Sequence, residues 1–118
     1  MSVPFSKLKV PYNYGDYLSW SDDERWELID GIPYSMSPAP LVEHQRISRE
    51  ILRQFSNYLV DKTCEVFGAP FDVRMPSADE KDEDIQSLVQ PDIVVICDKK
   101  RLDRRGYRGC KATISDYP

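Results

Sequence analysis

Three polar side chains have the residue types and settings for handling a cation or a proton: Glu27, His44 and Asp92. Asp92 opens the apolar run IVVIC, where a carboxylate is costly to desolvate unless it is paired, hydrogen-bonded or bound to a cation. Glu27 follows Trp26 and precedes Leu28-Ile29, so its setting is also partly apolar. Because His44 is the only histidine, the usual zinc cluster is not expected. Two carboxylates with one histidine favour an oxygen-coordinated hard cation such as Mg²⁺.

Each of these residues also has a purely structural interpretation, which the sequence leaves open. Asp92 could cap a backbone N–H at the exposed end of a strand, Glu27 could be a surface carboxylate on a hairpin, and His44 could hydrogen-bond within the first turn of a helix. The sequence contains no nucleophile-and-base triad, no glycine-rich phosphate loop and no dinucleotide fingerprint. Its three cysteines lack CxxC spacing, so we expect reduced thiols rather than a disulfide framework.

Hydropathy patterns predict the elements that position these side chains. Apolar residues four apart over residues 43–59 (EHQRISREILRQFSNYL) predict one long helix that begins just after Pro40. Residues 26–36 predict two short strands that turn at Asp30-Gly31. Residues 64–75 predict a half-buried strand, and the run 89–97 (VQPDIVVIC) predicts a central strand buried on both faces. We also expect a short helix over residues 14–20, a further helical turn at 21–24, and a solvated acidic loop over 77–84.

Length and composition indicate one soluble globular domain. The chain has 118 residues, of which 41% are hydrophobic and 31% charged. It lacks both a signal peptide and a membrane-length apolar run, so we expect a cytoplasmic protein with no membrane partner. The net charge of -4 is unevenly distributed, because Lys99–Lys111 contains seven basic residues and one acid, a formal charge of +6. Such a stretch can contact DNA phosphates, although charge runs are often simply solvated.

Five segments together resemble the Uma-two family of restriction endonucleases, which belongs to the PD-(D/E)xK nuclease superfamily: YGDYLSW, RWELIDGIPYSMSPAP, EHQRIS, VFGAPFDVRMP and VQPDIVVICDKKRLDRRG. The resemblance implies a restriction-endonuclease-like α+β or α/β core, a mixed sheet flanked by helices, and Mg²⁺-dependent hydrolysis of phosphodiester bonds in DNA. It also implies that Asp92 binds the metal, that Glu27 assists at the metal or orients a water bound to it, and that His44 supports them. Gln90 matches the family pattern without an evident chemical role.

The resemblance stops after Gly109, where family members continue with a third core strand that supplies a glutamate and a helix that supplies a lysine. We therefore expect residues 1–118 to form a single domain without that strand and the elements after it. Its exposed sheet edge would be able to pair with a second copy. Two functions stay open: a Mg²⁺-dependent endonuclease weakened by the missing glutamate and lysine, and an inactive DNA-binding or protein-interaction remnant of the same fold.

Overall fold

The computed structural model describes residues 10–20, 25–36, 41–77 and 79–109. Over these residues the chain forms two α-helices, α1 (Tyr14–Leu18) and α2 (Val42–Tyr58), and two 3₁₀ helices at Asp82–Asp84 and Lys99–Arg101. Its described strands are β1 (Trp26–Ile29), β2 (Ile32–Ser35), β3 (Glu65–Gly68), β4 (Val73–Arg74), β5 (Leu88–Val89), β6 (Ile93–Ile96), β7 (Leu102–Asp103) and β8 (Gly106–Arg108). Neither α-helix in these ranges is long and apolar enough to cross a bilayer.

The strands form two sheets. Within the described ranges, a six-stranded sheet has the order β2-β1-β5-β4-β8-β7, while β3 and β6 pair separately as an antiparallel ribbon. The larger sheet is mixed, because β4 and β8 run parallel and the other neighbours run antiparallel. Helix α2 packs against β3. This α+β arrangement of a mixed sheet with helices is consistent with the predicted restriction-endonuclease-like fold.

The β1–β2 hairpin confirms the predicted turn at Asp30-Gly31. Both residues have positive φ, 50° and 81°, which is the backbone that a two-residue type I′ turn requires. A Cβ on Gly31 would lie 2.4 Å from the Pro11 Cβ, so glycine is needed there for space as well as for conformation. Tyr12 N–H donates to the Gly31 carbonyl at 2.8 Å and ties the preceding segment to the turn.

The main core lies where α1 packs on the middle of the six-stranded sheet. It consists of side chains that are at least nine-tenths buried: Tyr12, Tyr14, Leu28, Ile85 and Leu88. Tyr17 and Trp20 pack against this cluster from the α1 side. Because α1 contributes both to the core and, through Tyr17, to the candidate site, the packing of the core also fixes part of the site.

Helix α2 is confirmed, but most of its predicted apolar face is exposed. Ile47, Ile51, Phe55 and Tyr58 are between 40% and 67% exposed. Leu52 and Leu59 are partly buried. Hydrophobic periodicity predicted the helix because four-residue spacing defines one face of it, but periodicity does not identify what covers that face.

The predicted central strand over residues 89–97 is wrong, because the segment crosses between the two sheets. It contributes β5 to the six-stranded sheet and β6 to the β3–β6 ribbon, and the break between them is Gln90-Pro91-Asp92. Proline has no N–H to donate to a ladder, which favours a break at that point. Val95 is 38% exposed, so β6 is not buried on both faces. The predicted strand over 64–75 is likewise divided, into β3 and β4.

The expectation of reduced thiols is corrected for two of the three cysteines. Cys64 and Cys97 form a disulfide that joins the ends of β3 and β6 across a sequence separation of 33. Their positions follow directly from the strand register, since the neighbouring pair is Glu65↔Ile96. Cys110 lies outside the described residues, as does the turn predicted over 21–24.

The acidic segment predicted as a solvated loop is anchored by ion pairs. Asp82 accepts hydrogen bonds from Arg74 at 2.7 Å and from Arg108 at 2.5 Å. Arg74 is fully buried and also donates to Asp103 at 2.5 Å. Two residues in this network, Asp103 and Arg108, belong to the basic stretch, so part of that stretch serves the fold as well.

Candidate functional site

The Gln90-Pro91-Asp92 segment lies where the chain passes from one sheet to the other. Asp92 immediately precedes β6, and its carbonyl accepts a hydrogen bond from Ala69 N–H at 3.0 Å, just beyond the end of the β3–β6 ladder. The Asp92 side chain is 62% exposed. It therefore occupies the exposed end of a strand rather than its buried interior, and its carboxylate is accessible to solvent and ligands.

In the described part of the chain, His44 is the hydrogen-bonding partner of the Asp92 side chain. Its Nε2 lies 3.3 Å from Asp92 Oδ2, which brings the first turn of α2 to the start of β6. A carboxylate can only accept, so this contact requires a proton on Nε2. Asp92 Oδ1 accepts no hydrogen bond from the described residues. The histidine thus orients the carboxylate while one oxygen stays open.

Asp92 and His44 lie at a cleft between α2 and the adjoining ends of β3 and β6. The cleft has a volume of about 380 Å³, and its lining includes Arg25, His44, Arg49, Pro70 and Asp92. Two arginine residues and one aspartate therefore line this space. Their excess of positive charge favours an anionic ligand.

Glu27 reaches the same segment through the backbone of Gln90. Its Oε2 accepts a hydrogen bond from Gln90 N–H at 2.8 Å. Strands β1 and β5 pair at Leu28↔Leu88, and this pairing brings Glu27 close to Gln90. The Glu27 side chain, rather than its backbone, then supplies the acceptor. Glu27 is therefore a half-buried carboxylate that fixes the chain two residues before Asp92.

The three predicted site residues are connected, but they do not converge on one point in the described structure. His44 contacts Asp92 directly, whereas Glu27 contacts Gln90. Among the described residues no group of three or more histidine, cysteine, aspartate or glutamate side chains is arranged to hold a metal ion. Their roles at a metal stay a prediction.

The side chain of Gln90 joins a network that sequence reasoning did not find. Gln90 is only 6% exposed; its Oε1 accepts from Arg25 Nε at 2.9 Å, and its Nε2 donates to the Tyr17 hydroxyl at 2.8 Å. That hydroxyl donates to the Asp72 carboxylate at 3.2 Å. The one sequence signal for this network was Gln90 itself, an amide placed directly after an apolar strand, because buried amides need partners.

Burial shifts the pKa values of Asp72 and Tyr17, the two groups of this network that lie farthest from Arg25. Desolvation raises the pKa of Asp72, outweighing the hydrogen bond from Tyr17 and the charge of Arg74, which lower it. Desolvation also raises the pKa of Tyr17 above its usual range, and the negative charge of Asp72 adds to this effect. Tyr17 therefore keeps its proton at neutral pH, and that proton is the one donated to Asp72.

Comparison with known proteins agrees with the fold and the motifs. The model of the Uma2 family, described as "Putative restriction endonuclease", matches residues 14–115. None of the curated proteins compared with the chain matches it. The matched range contains both described helices and all eight described strands, and it includes Glu27, His44, Gln90 and Asp92. The chain therefore belongs to the Uma2 family of putative restriction endonucleases.

Proposed function

We propose that the protein hydrolyses phosphodiester bonds in DNA with the help of a divalent cation, and that the cleft at Asp92 is the site. Membership of a family of restriction endonucleases supports the nuclease-like activity and DNA as its substrate. The observation that carries the assignment to this cleft is the His44–Asp92 contact, since it places an oriented, accessible carboxylate beside two arginine side chains.

The chemistry of Asp92 fits a magnesium site of the carboxylate-plus-water kind. Mg²⁺ in proteins is commonly bound through one or two carboxylates and keeps several waters, with substrate phosphate completing its shell. Asp92 offers one accessible carboxylate with an open oxygen, and Glu27 is the other acid predicted to assist. When bound, the cation would polarise a phosphoryl oxygen and favour ionisation of a water molecule.

The protein's own residues would orient this site. His44 holds the Asp92 carboxylate, and Glu27 holds the backbone that leads to it. Outer partners of this kind fix ligand orientation, and their loss typically lowers metal affinity or activity about 10- to 100-fold. Positioning through Gln90 is the role of Glu27 that its contact supports, while direct assistance at the metal stays a prediction.

DNA binding without catalysis is the second candidate. The observation that favours it is that both acids already have protein partners: Glu27 accepts from Gln90, and Asp92 contacts His44. The exposed Arg104 and Arg105, in the turn between β7 and β8, add positive surface that could contact phosphates. Such binding would weaken steeply as the salt concentration rises.

Nicking of supercoiled plasmid in the presence of Mg²⁺ separates the two candidates. We expect the wild-type chain to nick plasmid only with the cation, and Asp92→Asn to lower the rate at least about 100-fold, because losing a ligand removes several kcal/mol of transition-state stabilisation. Asp84→Asn is the matched control, since Asp84 is an exposed carboxylate in the 3₁₀ helix at Asp82–Asp84.

Two results would reject catalysis at this cleft. Nicking that is unchanged in Asp92→Asn would assign the activity elsewhere. Salt-dependent DNA binding with no nicking by the wild-type chain would instead support the non-catalytic candidate.

Self-association and a cytoplasmic location remain predictions. Within the described ranges, β3 and β6 pair only with each other, so each leaves an edge able to pair with another copy. Light scattering that gives the monomer mass at micromolar concentration would contradict the first. Cell fractionation tests the second.

A further inference from the structure

Arg25 lines the proposed catalytic cleft and is held in place there by Gln90. Arg25 lies directly before β1 and lines the cleft together with Arg49 and Asp92. Its Nε donates to Gln90, but its Nη2 is buried and has no hydrogen-bond partner in the described structure. Because Nη2 is buried, a ligand in the cleft would contact Arg25 through the atoms that line the cleft rather than through Nη2.

The orientation of the guanidinium group is fixed from behind by Gln90. Because Gln90 Nε2 donates to Tyr17, its Oε1 is the atom left to accept from Arg25. The Tyr17 hydroxyl is in turn directed at Asp72. Glu27 holds the backbone N–H of the same glutamine. Both the main chain and the side chain of Gln90 are therefore fixed, which determines where the Arg25 fork lies.

Phosphate is the ligand whose chemistry suits this arrangement. Guanidinium groups bind phosphate oxygens through short, charge-assisted hydrogen bonds, often two at a time. Arg49 adds a second positive group to the same cleft, and Asp92 supplies the carboxylate proposed to hold a cation. A phosphate bound between them would be close to both the positive groups and the proposed metal position.

We propose that Arg25 binds a phosphate of the DNA backbone in this cleft and that Gln90 is its positioning residue. The proposal rests on the cleft being the DNA site of the proposed function, but the phosphate contact itself requires no cation. It assigns a role to Gln90, whose match to the family pattern had no chemical explanation. It also explains why the network from Arg25 to Asp72 is built around the segment that carries Asp92.

Metal-free DNA binding tests the proposal. A short fluorescent duplex is titrated with the protein in the presence of a chelator at several salt concentrations, and inorganic phosphate is then added as a competitor. We expect Arg25→Ala to weaken duplex binding about tenfold, the loss expected for one charge-assisted hydrogen-bonding group. The slope of log affinity against log salt should also decrease by about one, as for the loss of one phosphate contact.

Two further variants distinguish the loss of a specific phosphate contact from the loss of a positive charge and from misfolding. Arg25→Lys keeps the charge but loses the fork, so we expect it to recover the salt slope and only part of the affinity. Arg53→Ala removes the same charge from an exposed position of α2 that does not line the cleft, and we expect less than about a twofold change. If Arg25→Ala does not fold by circular dichroism, Arg25→Lys decides the question.

Equal binding by Arg25→Ala and Arg53→Ala would overturn the proposal, and so would full affinity in Arg25→Lys. Competition by millimolar inorganic phosphate that requires Arg25, together with unchanged duplex binding, would indicate a site for free phosphate rather than for DNA, which also contradicts it. Weakened binding in Arg25→Ala with no nicking by the wild-type chain would support the phosphate contact while rejecting the catalytic function.

Discussion

The contact between Glu27 and the backbone of Gln90 distinguishes a positioning acid from a metal ligand. Glu27→Ala removes the acceptor, whereas Glu27→Gln keeps a side-chain oxygen at the same place and removes only the charge. If Glu27 acts through Gln90, the two variants should differ strongly in stability. If Glu27 binds a cation, both variants should instead lose metal affinity to a similar extent.

The expected magnitude follows from the burial of Gln90. Its N–H donates to Glu27 Oε2 at 2.8 Å, and the residue is 6% exposed, so water cannot readily replace the acceptor. An orphaned buried donor costs about 1–3 kcal/mol, and we expect Glu27→Ala to lower the free energy of unfolding by about 2 kcal/mol. At about 4 °C per kcal/mol for a chain of this size, the melting temperature should fall by about 8 °C. Glu27→Gln should cost about 1 kcal/mol or less, because a neutral acceptor forms the weaker bond.

Urea unfolding and Mn²⁺ titration of the same samples measure the two properties. We expect Glu27→Gln to bind Mn²⁺ within about threefold of the wild type, because glutamine keeps the contact to the Gln90 backbone and leaves Asp92 in place. A threefold change corresponds to roughly 0.7 kcal/mol of binding free energy. A Glu27→Ala protein as stable as the wild type would refute the positioning role. So would a Glu27→Gln protein of normal stability that binds Mn²⁺ as poorly as Asp92→Asn.

Three further predictions concern the fold around the site. Reducing the Cys64–Cys97 disulfide should lower the free energy of unfolding by about 4 kcal/mol, from the loop-entropy relation for a separation of 33, and urea curves that coincide with and without reductant would contradict this. Burial raises the pKa of Asp72, so ionised Asp72 is penalised in the folded state; the stability of the wild type relative to Asp72→Asn should rise as the pH falls from neutral through the folded pKa, and a constant difference would refute the assignment. Arg74→Met should cost about 3 kcal/mol because Arg74 is fully buried between Asp82 and Asp103, against about 0.5 kcal/mol or less for Arg53→Met, and similar losses in calorimetry would count against the network.

Local patterns predicted the elements whose signals are local. The turn at Asp30-Gly31 needs two residues with positive φ, and Asp-Gly is a sequence that adopts them readily. Helix α2 was predicted from its four-residue apolar spacing. Both signals depend on neighbours within a few positions, which is why the sequence was sufficient.

The crossing at Gln90-Pro91-Asp92 was not predictable from hydropathy. A nearly continuous apolar run is typical of one central strand, yet β5 and β6 pair with partners in different sheets. The exposure of Asp92 follows from this crossing rather than from its neighbours in the sequence. Pro91 marked the break, but a proline is also compatible with the start of a strand.

The candidate site was only partly predictable because its contacts join distant parts of the chain. His44 and Asp92 were identified separately, and their 3.3 Å contact depends on how α2 packs on β3. The roles of Arg25 and Tyr17 were missed, since each is defined by a hydrogen bond to Gln90 more than sixty residues away. Residue types indicated the kind of chemistry, whereas only the fold showed which of these residues are in contact.

The most direct test of the proposed site is an electron paramagnetic resonance titration of the protein with Mn²⁺ in the presence of a short DNA duplex. We expect the wild-type chain to bind Mn²⁺ at one site per chain, Asp92→Asn to lose that site, and Asp84→Asn to retain it. Equal Mn²⁺ binding by the wild type and Asp92→Asn, or no binding by either, would contradict the assignment of this cleft as the metal-dependent centre.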